Sequence, residues 1–239
     1  MPKQCGAKRG SVQAAAPIMK RVFPACLYFI YMAMVCAAAS RHAQAAELRF
    51  EQVFDAGGAA SSLHYQASYR AGGGIHRVEG WRDGELRVKR RTDDRVEIHA
   101  SRSAGSAEFA MSILDLEKRI HTSVSRSNLY RIGSFTDWFD LAHGLRHPKG
   151  AYALRSIAAP AEAPAPVQSC TWFELAQNGQ ASRICWSAVD QLPMLILSGG
   201  GDVVWRVTAL DRGPIAADTF VIRDEGYLRN DADQDIEPD

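Results

Sequence analysis

The chain is predicted to be mainly β: a curved antiparallel sheet forming an incomplete β-barrel, with one short helix packed on or in its concave face. Three observations predict this class. Apolar and polar residues alternate with period two along most of the chain beyond residue 60, turn-forming residues punctuate those runs, and only the stretch 134–147 has helical spacing. Period-two alternation gives each strand one wet and one dry face, as antiparallel sheets allow. A parallel α/β fold would need crossover helices between strands, and none are patterned here.

In order along the chain, Leu48, Phe50 and Val53 read as the start of a strand. From Leu63 to Arg70 the odd positions are apolar and the even ones polar. Leu86 and Val88 alternate with Arg87 and Lys89, and Val96, Ile98 and Ala100 with Glu97, His99 and Ser101. The same pattern runs through Phe109, Met111 and Ile113, through Ile120 and Val124, and through Val203, Trp205 and Val207. Gly72-Gly73-Gly74, Asp83-Gly84, Asp93-Asp94, Asn178-Gly179 and Gly199-Gly200-Gly201-Asp202 separate successive runs. Asn-Gly and Asp-Gly supply the positive φ of tight hairpins, so the expectation is a meander of short strands. In the helical stretch Phe135, Trp138, Phe139, Leu141, Ala142 and Leu145 share a face, with Ser134 or Thr136 as cap and Gly144 and Pro148 as stop. A short strand from Tyr152 to Ile157 follows. The Pro/Ala-rich stretch 158–167 then reads as a stiff surface insertion. Residues 46–239 are expected to form a single domain.

Residues 1–45 read as a secretory signal peptide, with the true start at Met19. Lys20-Arg21, an apolar run from Val22 to Ala39 and Ala43-Gln44-Ala45 give the charged, apolar and small-residue regions in order. An uncleaved anchor and lipid attachment at Cys36 are the alternatives. Pro24 and the short run argue against the first, and Val35 before the cysteine against the second. All 27 acidic residues lie beyond residue 45, with 22 of the 28 Lys and Arg, so the exported part carries about −5. That charge gives no basis for nucleic-acid binding.

Cleavage would remove Cys5, Cys26 and Cys36 and leave Cys170 and Cys185, an even pair suited to an oxidising compartment. A hairpin centred on Asn178-Gly179 pairs residues whose numbers sum to roughly 357, and these two sum to 355. They are expected to form a structural disulfide, with a contribution of about 3 kcal/mol in the chain-entropy model. A redox-active dithiol would favour closely spaced cysteines beside a helix start.

Chemistry is sparse. No nucleophile elbow or phosphate-cradling loop is present, and neither an enzymatic role nor a cofactor is expected. Asp140, His143 and His147 would share a helix face in a pattern that suits zinc. Gly144 and Pro148 put the second imidazole in a fraying end, so the expectation is a capping role and no metal. His64, His76, His99 and His121 fall on polar alternates and are expected to face water. Arg82, Arg87, Lys89, Arg90, Arg91 and Arg95 are expected to be balanced by cross-strand ion pairs. The alternative is an envelope partner docked through Arg87, Arg90 and Arg91, with Arg90 itself in the inward register. The dry face holds the most information. Alternation and helical spacing nominate Tyr65, Trp81, Leu86, Met111, Phe135, Trp138, Phe139, Trp186 and Trp205 as the lining of an apolar hollow.

Three stretches resemble the LolA/LolB-like superfamily of periplasmic lipoprotein carriers. Gly80-Trp81-Arg82-Asp83-Gly84-Glu85-Leu86-Arg87-Val88-Lys89-Arg90 is similar to that family's arginine-bearing strand, and Met111 to Ser125 to its paired strands. Ile184-Cys185-Trp186-Ser187-Ala188-Val189-Asp190-Gln191-Leu192-Pro193-Met194-Leu195-Ile196, with Phe220 and Gly226-Tyr227, looks like its C-terminal half. The resemblance implies an unclosed barrel and a hydrophobic ligand. The function expected from it is a monomeric periplasmic carrier or binding protein for a lipid, acyl chain or lipoprotein. A non-enzymatic envelope interaction or stress-sensing module with a filled core is the alternative.

Overall fold

Two meanders built of local hairpins join into one sheet. The computed structural model describes residues 48–55, 62–125 and 137–231. The signal segment, Cys36, Phe135, the Ser134 and Thr136 caps and the acidic tail beyond Asp231 lie outside the described residues. The first meander comprises β1 (Leu63–Ala71), β2 (Gly74–Asp83), β3 (Arg87–Thr92), β4 (Val96–Arg102), β5 (Phe109–Asp115) and β6 (Ile120–Ser125). The second comprises β7 (Tyr152–Ser156), β8 (Thr171–Gln177), β9 (Gln180–Ser187), β10 (Leu192–Ser198) and β11 (Val203–Asp211). Antiparallel pairing of β1 with β11 fuses them, and β12 (Leu228–Asp231) adds to β6 in parallel. The order is β12-β6-β5-β4-β3-β2-β1-β11-β10-β9-β8-β7, a twelve-stranded sheet that does not close into a barrel.

The turns obey their residue chemistry. Ala71 pairs with Gly74 across Gly72-Gly73, and Gln177 with Gln180 across Asn178-Gly179. All four turn residues have positive φ, the pair of left-handed positions that a two-residue hairpin needs. The second turn sets Trp172 opposite Cys185. Cys170, two residues before Trp172, reaches Cys185 in a disulfide with a Cα–Cα distance of 5.3 Å.

Two short helices lie on the sheet: α1 (Phe50–Phe54) and α2 (Trp138–His143). The strand expected from Leu48 is therefore a helix turn. Phe50 and Phe54, four apart, face the same way and are both buried, a spacing a strand would also permit but a single helical turn serves here. Leu48 donates its N–H to the Leu154 carbonyl at the β7 edge, and the Phe50 N–H bonds the Tyr152 hydroxyl at 2.9 Å. Those two bonds start the helix where the edge strand ends it as a ladder. In α2 the cap is Asp137, whose carboxylate accepts the Asp140 N–H, and Gly144 ends the helix at φ +64°. Among the described residues no helix is long and apolar enough to cross a membrane.

Register defines the face that α2 covers. Leu63, Arg82, Val88, Ala100, Met111 and Val124 stand in one row across β1 to β6. Val88, Ala100, Met111 and Val124 pack with Phe109 against Trp138, Leu141 and Ala142. In the other meander Phe50, Phe54, Phe139 and Leu145 pack with Leu154, Ile184 and Trp186.

The next row holds Tyr65, Gly80, Arg90, Ile98 and Ile113. The Tyr65 ring lies over Gly80, where an added Cβ would collide with the ring. Gly80→Ala is expected to lose about 1–3 kcal/mol of stability in urea unfolding, the usual range for overpacking. The loss should shrink in a Tyr65→Val background, because the two sites share one contact.

The opposite face is covered too. Trp172, Cys185 and Leu195 form a row there, and Ile157, Ala163 and Cys170 pack against their cluster. The Pro/Ala stretch runs along the surface and touches this end of the sheet through Ala163. At the other end the segment after β11 lies over β3 and β6. Phe220 sits under the Arg87 guanidinium at 4.5 Å, and Asp224 bonds His121 at 2.7 Å.

Candidate functional site

The site begins with Arg82, which stands in an otherwise apolar row and is 1% exposed. Its guanidinium donates to the carbonyls of Ala142 and Gln191, each at 3.1 Å, and to that of Asp190. One side chain thus ties β2 to the end of α2 and to the β9–β10 turn. Burial lowers its pKa to about 10, which still leaves it charged at neutral pH. His143 sits beside it. Burial, then the Arg82 charge, push the imidazole down to about 3, so the ring is neutral. Its Nδ1 lies 2.7 Å from the Gln191 carbonyl and 2.9 Å from Arg82. Arg82 Nη1 has two hydrogens, which the Ala142 and Gln191 carbonyls accept, so the short contact of the imidazole with the Gln191 carbonyl assigns the ring proton to Nδ1 and the lone pair to Nε2.

The Asp190 carboxylate is a second hub, with the residue fully buried. It accepts from Ser187 Oγ at 2.6 Å, from Arg212 at 2.7 and 2.9 Å, and from Gln168. Burial alone would raise its pKa, but the bonds from Arg212, Ser187 and Gln168 outweigh that and hold it below the ordinary carboxylate range.

The lining positions separate into distinct environments. Tyr65, Met111, Trp138, Phe139, Trp186 and Trp205 are buried. Trp138 stacks edge-on with Phe109 at 5.7 Å, Phe54 meets Trp186 at 5.1 Å, and Trp205 donates its indole N–H to the Pro193 carbonyl at 2.7 Å. Trp81 lies on the opposite face, stacked on His64 at 5.1 Å. Its apolar character pointed inward, but pairing of Leu63 with Arg82 puts the arginine inside and the indole outside. Leu86 is 42% exposed in the β2–β3 turn. Beside α2 lies a hollow of about 270 Å³, walled by Trp138 and Phe139 and bounded by Asp55, Asp137, His143 and His147.

The arginine hairpin is internally balanced. Arg87 pairs with Asp83, and Arg91 grips one Glu97 oxygen through Nε and Nη2 at 3.0 and 2.9 Å. Lys89 lies 3.3 Å from Glu97, and Arg90 faces inward over the Trp205 ring at 5.9 Å. Burial pushes the Glu97 carboxyl up, but hydrogen bonds from His99 and Arg91 and the charge of Lys89 outweigh it and hold it at about 2. Glu97 and His99, expected to face water, are buried. They do lie on the polar alternates, but the hairpin's cations and the chain beyond β11 close over that face. Sequence spacing carries no signal for such distant cover.

Fold and site together define an open, helix-lined antiparallel sheet whose inner face is filled by its own aromatic side chains. Among solved structures the chain is similar to MucB, with 13% identity over 71% of this chain and a TM-score of 0.36. The match spans 60% of that protein's length, and at this overlap the likeness supports no inference about function. No family model matches the chain, and no curated protein matches it in sequence.

Proposed function

We propose that the protein is a non-enzymatic binding module of an exported, oxidising compartment, acting through surface contacts with a protein partner. The observation that carries this reading is the filled inner face. Of the nine expected lining residues, the six buried ones pack on the chain's own rings and aliphatic groups; the hollow of about 270 Å³ beside α2 is bordered by carboxylates, imidazoles and Arg102, and a wider, open hollow of about 710 Å³ at Phe109, Met111 and Val124 is rimmed by serines, Arg102 and Glu108. Pockets for lipid-sized ligands span about 300–1,000 Å³ and are mostly apolar. The leader-like segment and the Cys170–Cys185 disulfide support export. The non-enzymatic part rests on how the polar groups are used. His121 lies between Ser123 at 3.4 Å and Asp224 at 2.7 Å, the order of a catalytic chain. Arg229 binds the same Asp224 oxygen, however, and Ser123 is exposed on a strand.

Carriage of an acyl chain is the second reading, favoured by one observation: α2 is only six residues long and covers an aromatic floor from which it could lift. A fluorescent fatty-acid probe with native mass spectrometry separates the two. The expected result is no saturable binding and no co-purified lipid. Stoichiometric lipid, displaced by the probe, would replace the docking reading with the carrier one.

A further inference from the structure

Beside α2 three metal-binding side chains converge that the docking reading does not use. Asp137, Asp140 and His147 each present a ligand atom, and these atoms lie within 4.8 Å of one another. His147 Nδ1 is 3.0 Å from Asp137 and 3.4 Å from Asp140, so one ring already faces both carboxylates. Asp137 uses Oδ1 to cap the helix, which leaves Oδ2 on the cluster side.

A second, independent observation points the same way. His143 is 7% exposed, lines the same hollow as Asp137 and His147, and has both its Gln191 hydrogen bond and its Arg82 contact on Nδ1. A neutral imidazole that donates Nδ1–H to a backbone carbonyl and keeps Nε2 as a lone pair is the arrangement found at metal centres. Acidic groups add to this on the far side. Asp55 and Glu85 border the hollow, with Arg102 as the cation beside them. The local surplus of negative charge is what a cation would relieve.

We propose that Asp137, Asp140 and His147 bind a first-row divalent metal ion of the zinc class, with the fourth position open to the hollow where His143 stands. In a tetrahedral site, zinc–oxygen and zinc–nitrogen bonds of about 2.0–2.2 Å set ligand atoms about 3.4 Å apart, a spacing close to the two His147 contacts, and contraction of the two carboxylates toward each other completes the site. The spacing seen along the sequence named Asp140, His143 and His147. The fold puts Asp137 in place of His143 among the converging ligands, because the His143 Nδ1 is engaged by Gln191 and Arg82.

The test uses the full chain after chelator treatment, titrated with Zn²⁺ by calorimetry and with Co²⁺ by visible absorption. One saturable site is expected, with proton release on binding. Asp137→Asn keeps a capping residue, and His147→Gln alters a side chain that is 28% exposed, so both variants are expected to fold. Each should weaken Zn²⁺ binding by at least about 100-fold, at or beyond the upper end of what loss of an outer-shell partner costs. His76→Gln, which alters another Asp-paired imidazole, should bind like the parent chain. Absence of a saturable site, unchanged affinity in both variants, or an equal loss in His76→Gln would each overturn the proposal. None of these outcomes depends on whether the protein docks a partner or carries a lipid.

Discussion

Arg82→Leu is expected to destabilise the fold by about 3–5 kcal/mol, read as a lowered urea midpoint. The arginine is buried in the apolar row under α2, and its donors reach the carbonyls of Ala142, Gln191 and Asp190. Leucine would suit the row in polarity, and it removes the cost of burying a charge. It also leaves those carbonyls without their donor, at about 1–3 kcal/mol for each acceptor that water cannot reach. Removing one member of a buried polar assembly typically has an effect of this size. A second readout distinguishes lost bonding from lost packing. His143 is held near 3 by burial and by the Arg82 charge. In the variant its imidazole should titrate closer to the ordinary histidine range, visible by NMR. A change below about 1 kcal/mol would show that α2 and the β9–β10 turn do not depend on this side chain.

Asp190→Ala is expected to cost about 3 kcal/mol and to loosen three segments together. Its carboxylate collects Gln168 just after the Pro/Ala stretch, Ser187 at the end of β9 and Arg212 just after β11. Arg212 is half-exposed and can turn to water, so most of the loss falls on the buried hydroxyl and amide. Hydrogen exchange should rise near 168, 187 and 212 before it rises in β1 to β6.

The pH dependence follows from the sign of the shift. A carboxyl whose folded pKa is depressed stabilises the fold above its unfolded pKa and loses that contribution as pH falls through the folded value. Asp190 and Glu97 both belong to this class, the latter between its ordinary 4.5 and about 2. His143 acts in the same direction. Its depressed pKa means the unfolded chain takes up a proton below 6.5 that the folded chain refuses down to about 3. Stability should therefore fall as pH drops from about 6.5 toward 2, and Asp190→Asn should flatten the acid part of that curve.

Much of the architecture was legible in local pattern. Alternation located β1, β4, β5, β6 and β11, and Asn178-Gly179 set the β8–β9 register that brings Cys170 near Cys185. Gly144 marked the end of α2. These features depend on residues within a few positions of one another. The site was less legible, for reasons particular to each residue. Trp81 and Arg82 are adjacent, and alternation alone admits either as the inward one. Pairing with Leu63 settled the matter. Leu86 fell in a turn because β3 begins at Arg87. Phe50 and Phe54 became a helix turn through a bond to Tyr152, 102 residues away.

What the amino-acid order determined by itself was where most of the strands lie and turn, and that one face of each is apolar, since backbone preference and side-chain period act over short stretches of chain. Only the tertiary structure decided which groups fill the inner face, that Arg82 clamps α2, that the outer charges balance one another, and that Asp137 joins Asp140 and His147. Those outcomes require residues far apart in the chain to meet, and the free energy of burying them is defined only once they have met.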